Sequence, residues 1–194
     1  MIVSMKKSSS LLLDYENRII EIHNSLGIPS DYAIQYGLAL QYEEIDFVEI
    51  DKDVFYRPQK LSIKAANSWN AMKLQAGKDG VQLDVVSAFR SVNRQVEIIQ
   101  KKLDQGHSIS KILKVSAAPG YSEHHSGCAL DISTPGCTPL SESFELTEAF
   151  RWLNKNAQTY SFRLSYPKGN SFGMLYEPWH WMYESSGSEF KVFE

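Results

Sequence analysis

Two short stretches hold most of the side chains that could do chemistry. Ser122-Glu123-His124-His125-Ser126-Gly127-Cys128-Ala129-Leu130-Asp131 supplies imidazoles and a carboxylate, and Glu177-Pro178-Trp179-His180-Trp181 supplies a carboxylate followed by an imidazole. His124, Asp131 and His180 make a three-ligand set for zinc that leaves a fourth position open for water. Glu177, close to one ligand, has the place of a general base. The combination points to a metal-dependent hydrolase, although ligand type alone leaves other divalent metals open.

The spacing places demands on the backbone. Gly127 permits a tight loop, so that His124 can fold back towards a ligand in the strand that follows. His124 is a better ligand than its neighbour His125 by its register with Gly127 and Asp131. His125 is ambiguous, and a place at the pocket rim, supporting a ligand or touching substrate, is the lesser reading for it. Along Cys128–Ile132 side chains alternate, which puts Ala129 and Asp131 on one face and leaves room beside a metal. Glu177 and His180 are three residues apart and would point to opposite sides of a regular strand, so the backbone must turn or bulge near Pro178. Trp179 and Trp181 then share the face opposite His180 and are expected in the core.

The elements that must carry these residues follow from periodicity. Leu12, Tyr15, Ile19, Ile22 and Leu26 recur at helical spacing, with serines at 8–10 as caps and Gly27 and Pro29 as a stop. A short strand is expected within 42–50, and a second helix through Ala65, Trp69, Met72 and Ala76, ended by Gly77 and Gly80. Val81–Ser87 reads as a strand, with Arg90 at the turn leaving it and Ser91 as the cap of a third helix through Val92, Val96, Ile99 and Leu103. Residues 108–122 hold a short helix and a loop, and Cys128–Ile132 a strand. Leu146, Ala149, Phe150 and Leu153 mark a fourth helix; Tyr160–Tyr166 and Leu175–Tyr183 are the last strands. Strands separated irregularly by helices predict an α+β fold with a small, mainly antiparallel sheet flanked by helices.

A chain of 194 residues suits one domain with a proper core, and 43% hydrophobic with 22% charged residues is ordinary for a globular protein. A net charge of -3 with no long basic run gives no reason to expect a nucleic-acid partner. Leu11-Leu12-Leu13 is too short for a membrane span or an export signal. The setting is left open: the cytoplasm if the chain is complete, a periplasmic or cell-wall-facing compartment if a leader has been removed. Cys128 and Cys137 do not make a disulfide framework, and Cys128 is expected as a small buried residue. His23 and His107 have no carboxylate or thiol at ligand spacing and are expected to be ordinary structural residues.

With these motifs in view, the chain resembles the VanY-type zinc D-alanyl-D-alanine carboxypeptidases, a family that includes D,D-dipeptidases and LdcB-like L,D-carboxypeptidases. The resemblance rests on Ser122-x-His124-x-x-Gly127-x-Ala129-x-Asp131, on Glu177-x-x-His180, on Ser87-Ala88-Phe89-Arg90-Ser91 followed by Gln95, and on Tyr166-Pro167-Lys168-Gly169. It covers roughly residues 58–183. It implies a hedgehog/D,D-peptidase-like fold for a single domain at 58–194; residues 1–57, outside the match, are read from the spacing of their helix as a helical extension packed on it. It also implies one zinc ion on His124, Asp131 and His180, with Glu177 as base and Arg90 holding the carbonyl oxygen or the substrate carboxylate. Gln95, Ser122 and Tyr166 would line the pocket for the terminal D-residue. The implied reaction is removal of the terminal D-alanine from peptidoglycan stem peptides or muropeptides. L,D-carboxypeptidase or D,D-dipeptidase activity is the alternative, or a zinc-stabilised module that binds cell-wall peptide without cutting it. Ala88, Phe89 and His125 stand where the family often has glycine, tyrosine and glutamine, which bears on substrate preference and leaves the ligands intact.

Overall fold

The computed structural model describes the backbone of residues 2–184 and the side chains of residues 11–184. In chain order its elements are helix α1 (Ile2–Leu26), helix α2 (Tyr32–Tyr36), strands β1 (Phe47–Ile50) and β2 (Gln59–Ser62), helix α3 (Ile63–Lys78) and strand β3 (Asp84–Ser87). Helices α4 (Val92–Asp104) and α5 (Ile109–Ile112) follow, then β4 (Ala129–Ser133), α6 (Glu148–Asn156), β5 (Phe162–Leu164) and β6 (His180–Tyr183). The chain gathers into two compact units. One holds Met1–Gln41, Val92–Ser122 and Ser171–Met174; the other holds Tyr42–Ser91, Glu123–Asn170 and Leu175–Glu194.

The first unit is helical. Its core joins Leu26, Ile28, Tyr32, Ile99, Ile112, Leu113 and Ala118. Helix α1 buries Ile19 and Leu26, while Leu12, on the apolar stripe by spacing, is 44% exposed. Packing of α1 is anchored from Tyr15 onward, where the phenol hydroxyl donates to the Gln41 carbonyl at 2.7 Å. The helix already runs through residues 8–10, so these serines do not open it, and their side chains lie outside the described residues. It stops at Gly27, whose φ of +68° is open to glycine, with the Ile28 amide donating back to the His23 carbonyl. Helix α2 was not visible to periodicity, because five residues make little more than one turn. His23 is the buried structural residue expected of it, its ring 2.8 Å from the Pro119 carbonyl.

The second unit is a four-stranded antiparallel sheet in the order β3-β4-β6-β5, with β1 and β2 forming a separate antiparallel pair. This is the α+β arrangement predicted, with shorter strands than the patterning suggested. One core cluster joins Leu130, Ile132, Val85, Phe162 and Trp181 of the sheet to Trp69 and Met72 of α3 and Trp152 and Leu153 of α6. Helix α6 begins where Thr147 accepts a hydrogen bond from the Phe150 amide, and buries Ala149, Trp152 and Leu153 at the spacing of one helix face. Since Leu130 and Ile132 point into this cluster, alternation turns Asp131 to the opposite face of β4. Cys128 and Cys137 are both free thiols and only half-buried; Cys128 Sγ lies 3.4 Å from Ser62 Oγ.

Candidate metal centre

Sheet register sets the first contact. Asp131 on β4 lies directly across from His180 on β6, and Ser87 on β3 pairs with Asp131 from the other side after a bulge. The first residue of β6 is delivered by a turn in which the His180 amide donates to the Glu177 carbonyl at 3.1 Å. Pro178 occupies the second position of that turn, where its fixed φ is favourable. The bend predicted near Pro178 is therefore present, and the strand expected from Leu175 begins only at His180.

His124 comes from a short 3-10 turn, Glu123–Ser126, that ends at Gly127. Gly127 has φ +65°, and a Cβ there would meet the Ser62 amide nitrogen at 3.1 Å and Phe47 at 3.2 Å. Any side chain would push the turn away from β2. The turn is also tied to the loop after β3: the His124 Nδ1–H donates to the Ala88 carbonyl at 2.6 Å, and the Arg90 amide donates to the His124 carbonyl at 3.1 Å. With Nδ1 committed, Nε2 of His124 carries the free lone pair.

One donor atom from each of His124, Asp131 and His180 lies within 4.8 Å of the other two, and all three residues are buried. His124 Nε2 is 3.2 Å from Asp131 Oδ2, and His180 Nδ1 is 3.0 Å from Asp131 Oδ1. Ligands about 2.0–2.1 Å from a tetrahedral zinc stand roughly 3.3 Å apart, so these separations suit such an ion. Two imidazoles and a carboxylate also have the chemistry of a zinc site with an open corner. The residues present fit the metal.

The electrostatics of the cluster agree. Burial favours the neutral carboxyl of Asp131, but the imidazoles of His124 and His180 overwhelm that and hold it far below the usual carboxylate range. Burial pushes the His124 imidazole down. Burial also opposes a charged His180, yet hydrogen bonds to Asp131 and Glu123 lift it to about 10. Glu177 behaves differently. Its carboxyl is 13% exposed, lies 4.0 Å from His180 Nδ1, and burial raises it to about 7. A divalent cation beside it would draw that value down again.

Arg90 is one-fifth exposed, with Nη2 3.1 Å from Ser87 Oγ and 3.7 Å from Asp131 Oδ2. Tyr166 is buried, its ring centroid 5.0 Å from that of His180, and its carbonyl accepts from the Glu177 amide at 3.0 Å. The second unit thus brings together His124, Asp131, His180, Glu177, Arg90 and Tyr166. Gln95 and Ser122 belong to the first unit. Gln95 is fully buried and donates from Nε2 to the Ala117 carbonyl at 2.7 Å; Ser122 is 4% exposed.

His125 is fully buried, which goes against the lesser reading at a pocket rim, and its Nδ1–H donates to the Arg90 carbonyl at 2.6 Å. Adjacent histidines therefore fasten alternate carbonyls, Ala88 and Arg90, of one loop. Burial brings the His125 imidazole down to about 4, keeping it neutral. Phe89, between those carbonyls, packs its ring 4.2 Å from that of Phe47, where a hydroxyl is not needed.

Two supports of the site were not foreseen from sequence. Glu123 accepts from His180 Nε2 at 2.9 Å and is itself held by Arg163 and Ser165. Behind His124 runs a longer relay: the Ala88 amide donates to Gln59 Oε1 at 3.0 Å, and Gln59 Nε2 donates to Asp53 Oδ2 at 2.8 Å. The buried Asp53 carboxylate also accepts from the Phe55 and Arg57 amides and from Arg57 Nε. The one signal in the sequence was Glu123 lying beside a ligand histidine.

A mixed α/β unit presenting two imidazoles, a carboxylate and a buried glutamate defines the class of metallopeptidase-like folds. The sequence profile of the VanY family, D-alanyl-D-alanine carboxypeptidase, matches residues 58–186, and the chain belongs to that family. YodJ of Bacillus subtilis (strain 168) is 36% identical over 162 residues, 77% of this chain and 57% of YodJ. The chain spans about half the length of the curated relatives it matches. Among solved structures, the LdcB LD-carboxypeptidase is 32% identical with a TM-score of 0.61, covering 80% of this chain and 68% of that one. The vancomycin-resistance D,D-pentapeptidase VanY, solved in complex with Zn(II), shares the fold at 24% identity and a TM-score of 0.58, over 76% of this chain and 88% of that one. No helix among the described residues is long and apolar enough to cross a membrane.

Proposed function

We propose that this protein is a zinc-dependent carboxypeptidase that removes the terminal D-alanine from peptidoglycan stem peptides or muropeptides. The observation that carries the reading is a largely buried glutamate, 4.0 Å from His180 Nδ1, beside three buried donors that could share one ion. His124, Asp131 and His180 would hold a single zinc. Zinc bound there supplies a Lewis acid that polarises the scissile carbonyl and makes water acidic enough to attack near neutral pH.

The chain's own groups supply the rest. The Glu177 carboxylate accepts the proton of the attacking water and passes it to the leaving amine nitrogen, which departs as the free D-residue. Arg90, its Nη2 beside Ser87 Oγ and Asp131 Oδ2, would offer its guanidinium charge to the developing oxyanion or to the terminal carboxylate. Tyr166 limits the pocket beside His180, with Gln95 and Ser122 assigned to the terminal residue by the family motif. The peptide substrate is the only partner this reading needs.

Incubation with defined muropeptides and mass spectrometry of the products tests it. Loss of one alanine from pentapeptide stems, blocked by a chelator and not by penicillin, is the expected result. A second reading, L,D-carboxypeptidase, is supported by the likeness to LdcB. It predicts instead that tetrapeptide stems lose their last residue while pentapeptides persist. Binding of muropeptide with no product from either would favour a non-catalytic binding module.

A further inference from the structure

His180 is gripped at both ring nitrogens, and only one grip belongs to the metal cluster. Nδ1 points to Asp131 Oδ1 at 3.0 Å, inside the three-donor set. Nε2 points away from it, to Glu123 Oε2 at 2.9 Å. Glu123 is not free to swing: Ser165 Oγ donates to the same Oε2 at 2.5 Å, and Arg163 Nη2 lies 3.2 Å from Oε1. Arg163 is in turn tied through Nε to Glu184. Arg163 and Ser165 come from β5 and the residue just beyond it, next to β6 in the sheet, so the brace is built on the same strands that place His180.

His124 has no such arrangement. Its second nitrogen donates to a neutral backbone carbonyl, Ala88 O. An imidazole hydrogen-bonded to a carboxylate is oriented in one tautomer and becomes a stronger electron donor at its other nitrogen than one bonded to a carbonyl. The two histidines of the set are therefore unequal.

We infer that Glu123, braced by Arg163 and Ser165, is a positioning residue that fixes the Nε2–H tautomer of His180 and so presents Nδ1 to the metal. This rests on the proposed metal-binding role of His124, Asp131 and His180. Glu123 touches neither the substrate nor the reacting atoms; it acts through His180. Its loss weakens metal retention before it alters any chemical step.

Zinc affinity of the full chain, measured by competition with a chromogenic chelator and requiring no substrate, tests the inference. Glu123→Ala should raise the zinc Kd by about 10–100-fold. Glu123→Gln, which keeps an acceptor oxygen without the charge, should recover part of that loss, and Arg163→Met should show a smaller rise that nearly vanishes in the Glu123→Ala background. The cobalt(II)-substituted Glu123→Gln protein should show shifted visible absorption bands, which a purely structural defect would not produce. Should Glu123→Ala fail to fold, the Gln variant and its cobalt spectrum decide. Parent-like zinc affinity in a folded Glu123 variant, with only a lower Tm, would overturn the inference and leave the metal centre standing. Zinc retained unchanged by Asp131→Ala would instead remove the metal centre itself, and the role of Glu123 with it.

Discussion

Glu123 and Glu177 stand on either side of one imidazole: Glu123 reaches His180 Nε2 at 2.9 Å, and Glu177 lies 4.0 Å from Nδ1. Both carboxyls are largely buried, at 12% and 13% exposure. Burial pushes each upward, yet Glu123 ends below its ordinary value because His180, Arg163 and Ser165 answer its charge. Among the described residues Glu177 has no comparable set of donors, and it ends at about 7. Desolvation is thus common to both, and the neighbours decide the outcome. One glutamate is fixed as an anion that can hold a ring; the other is left able to take a proton and return it.

Several experiments can break or sharpen this contrast. Metal removal comes first in size: dialysis against a chelator should abolish peptide hydrolysis, and added zinc should restore it. Next, Glu177→Gln should lower kcat by about 10²–10⁴-fold while elemental analysis still finds the metal bound. If that substitution emptied the metal site, the two glutamates would share a role and the contrast would fail. Asp53 offers another buried carboxylate, outside the donor set and answered by four donors, on which the same rule can be tried. Burial raises it and the Arg57 and Phe55 donors lower it, with a net fall below 3.8. Because the folded value lies under the unfolded one, its stabilisation is whole above about pH 4 and is lost as pH falls through the folded value. Asp53→Asn should therefore cost about 1–3 kcal/mol in neutral urea melts and flatten the loss of stability in acid. The smallest effect is expected at His125: His125→Gln keeps a donor for the Arg90 carbonyl, and kcat/KM should change by less than about tenfold.

The donor set was legible because its members sit in short motifs whose geometry is local. Ala129 and Asp131 share a strand face by alternation, and the three-residue interval from Glu177 to His180 demanded the turn that Pro178 makes. What supports the donors was not legible. Arg163 and Ser165 lie 40 and 42 positions from Glu123, and Gln59 lies 29 from Ala88, so nothing near these residues announces the pairing. His125 stayed ambiguous for a related reason: the carbonyl that holds its ring, that of Arg90, lies 35 positions away. The core helices α3, α4 and α6 were visible through their apolar stripes, while the five-residue α2 was not. The gathering of residues 1–41 with 92–122 depends on contacts between distant segments, which periodicity along the chain does not encode.

Asp131 and His180 are 49 positions apart and meet only because two strands pair in one register. Insertions or deletions in the excursion between those strands can be absorbed without disturbing the donors, provided the pairing survives. A residue added between Glu177 and His180 would instead break the turn at Pro178 and move the Glu177 carboxyl away from the imidazole. Anyone transplanting this centre into another scaffold should copy the strand alignment, the Pro178 turn and the residues in and just beyond β5 that hold Glu123.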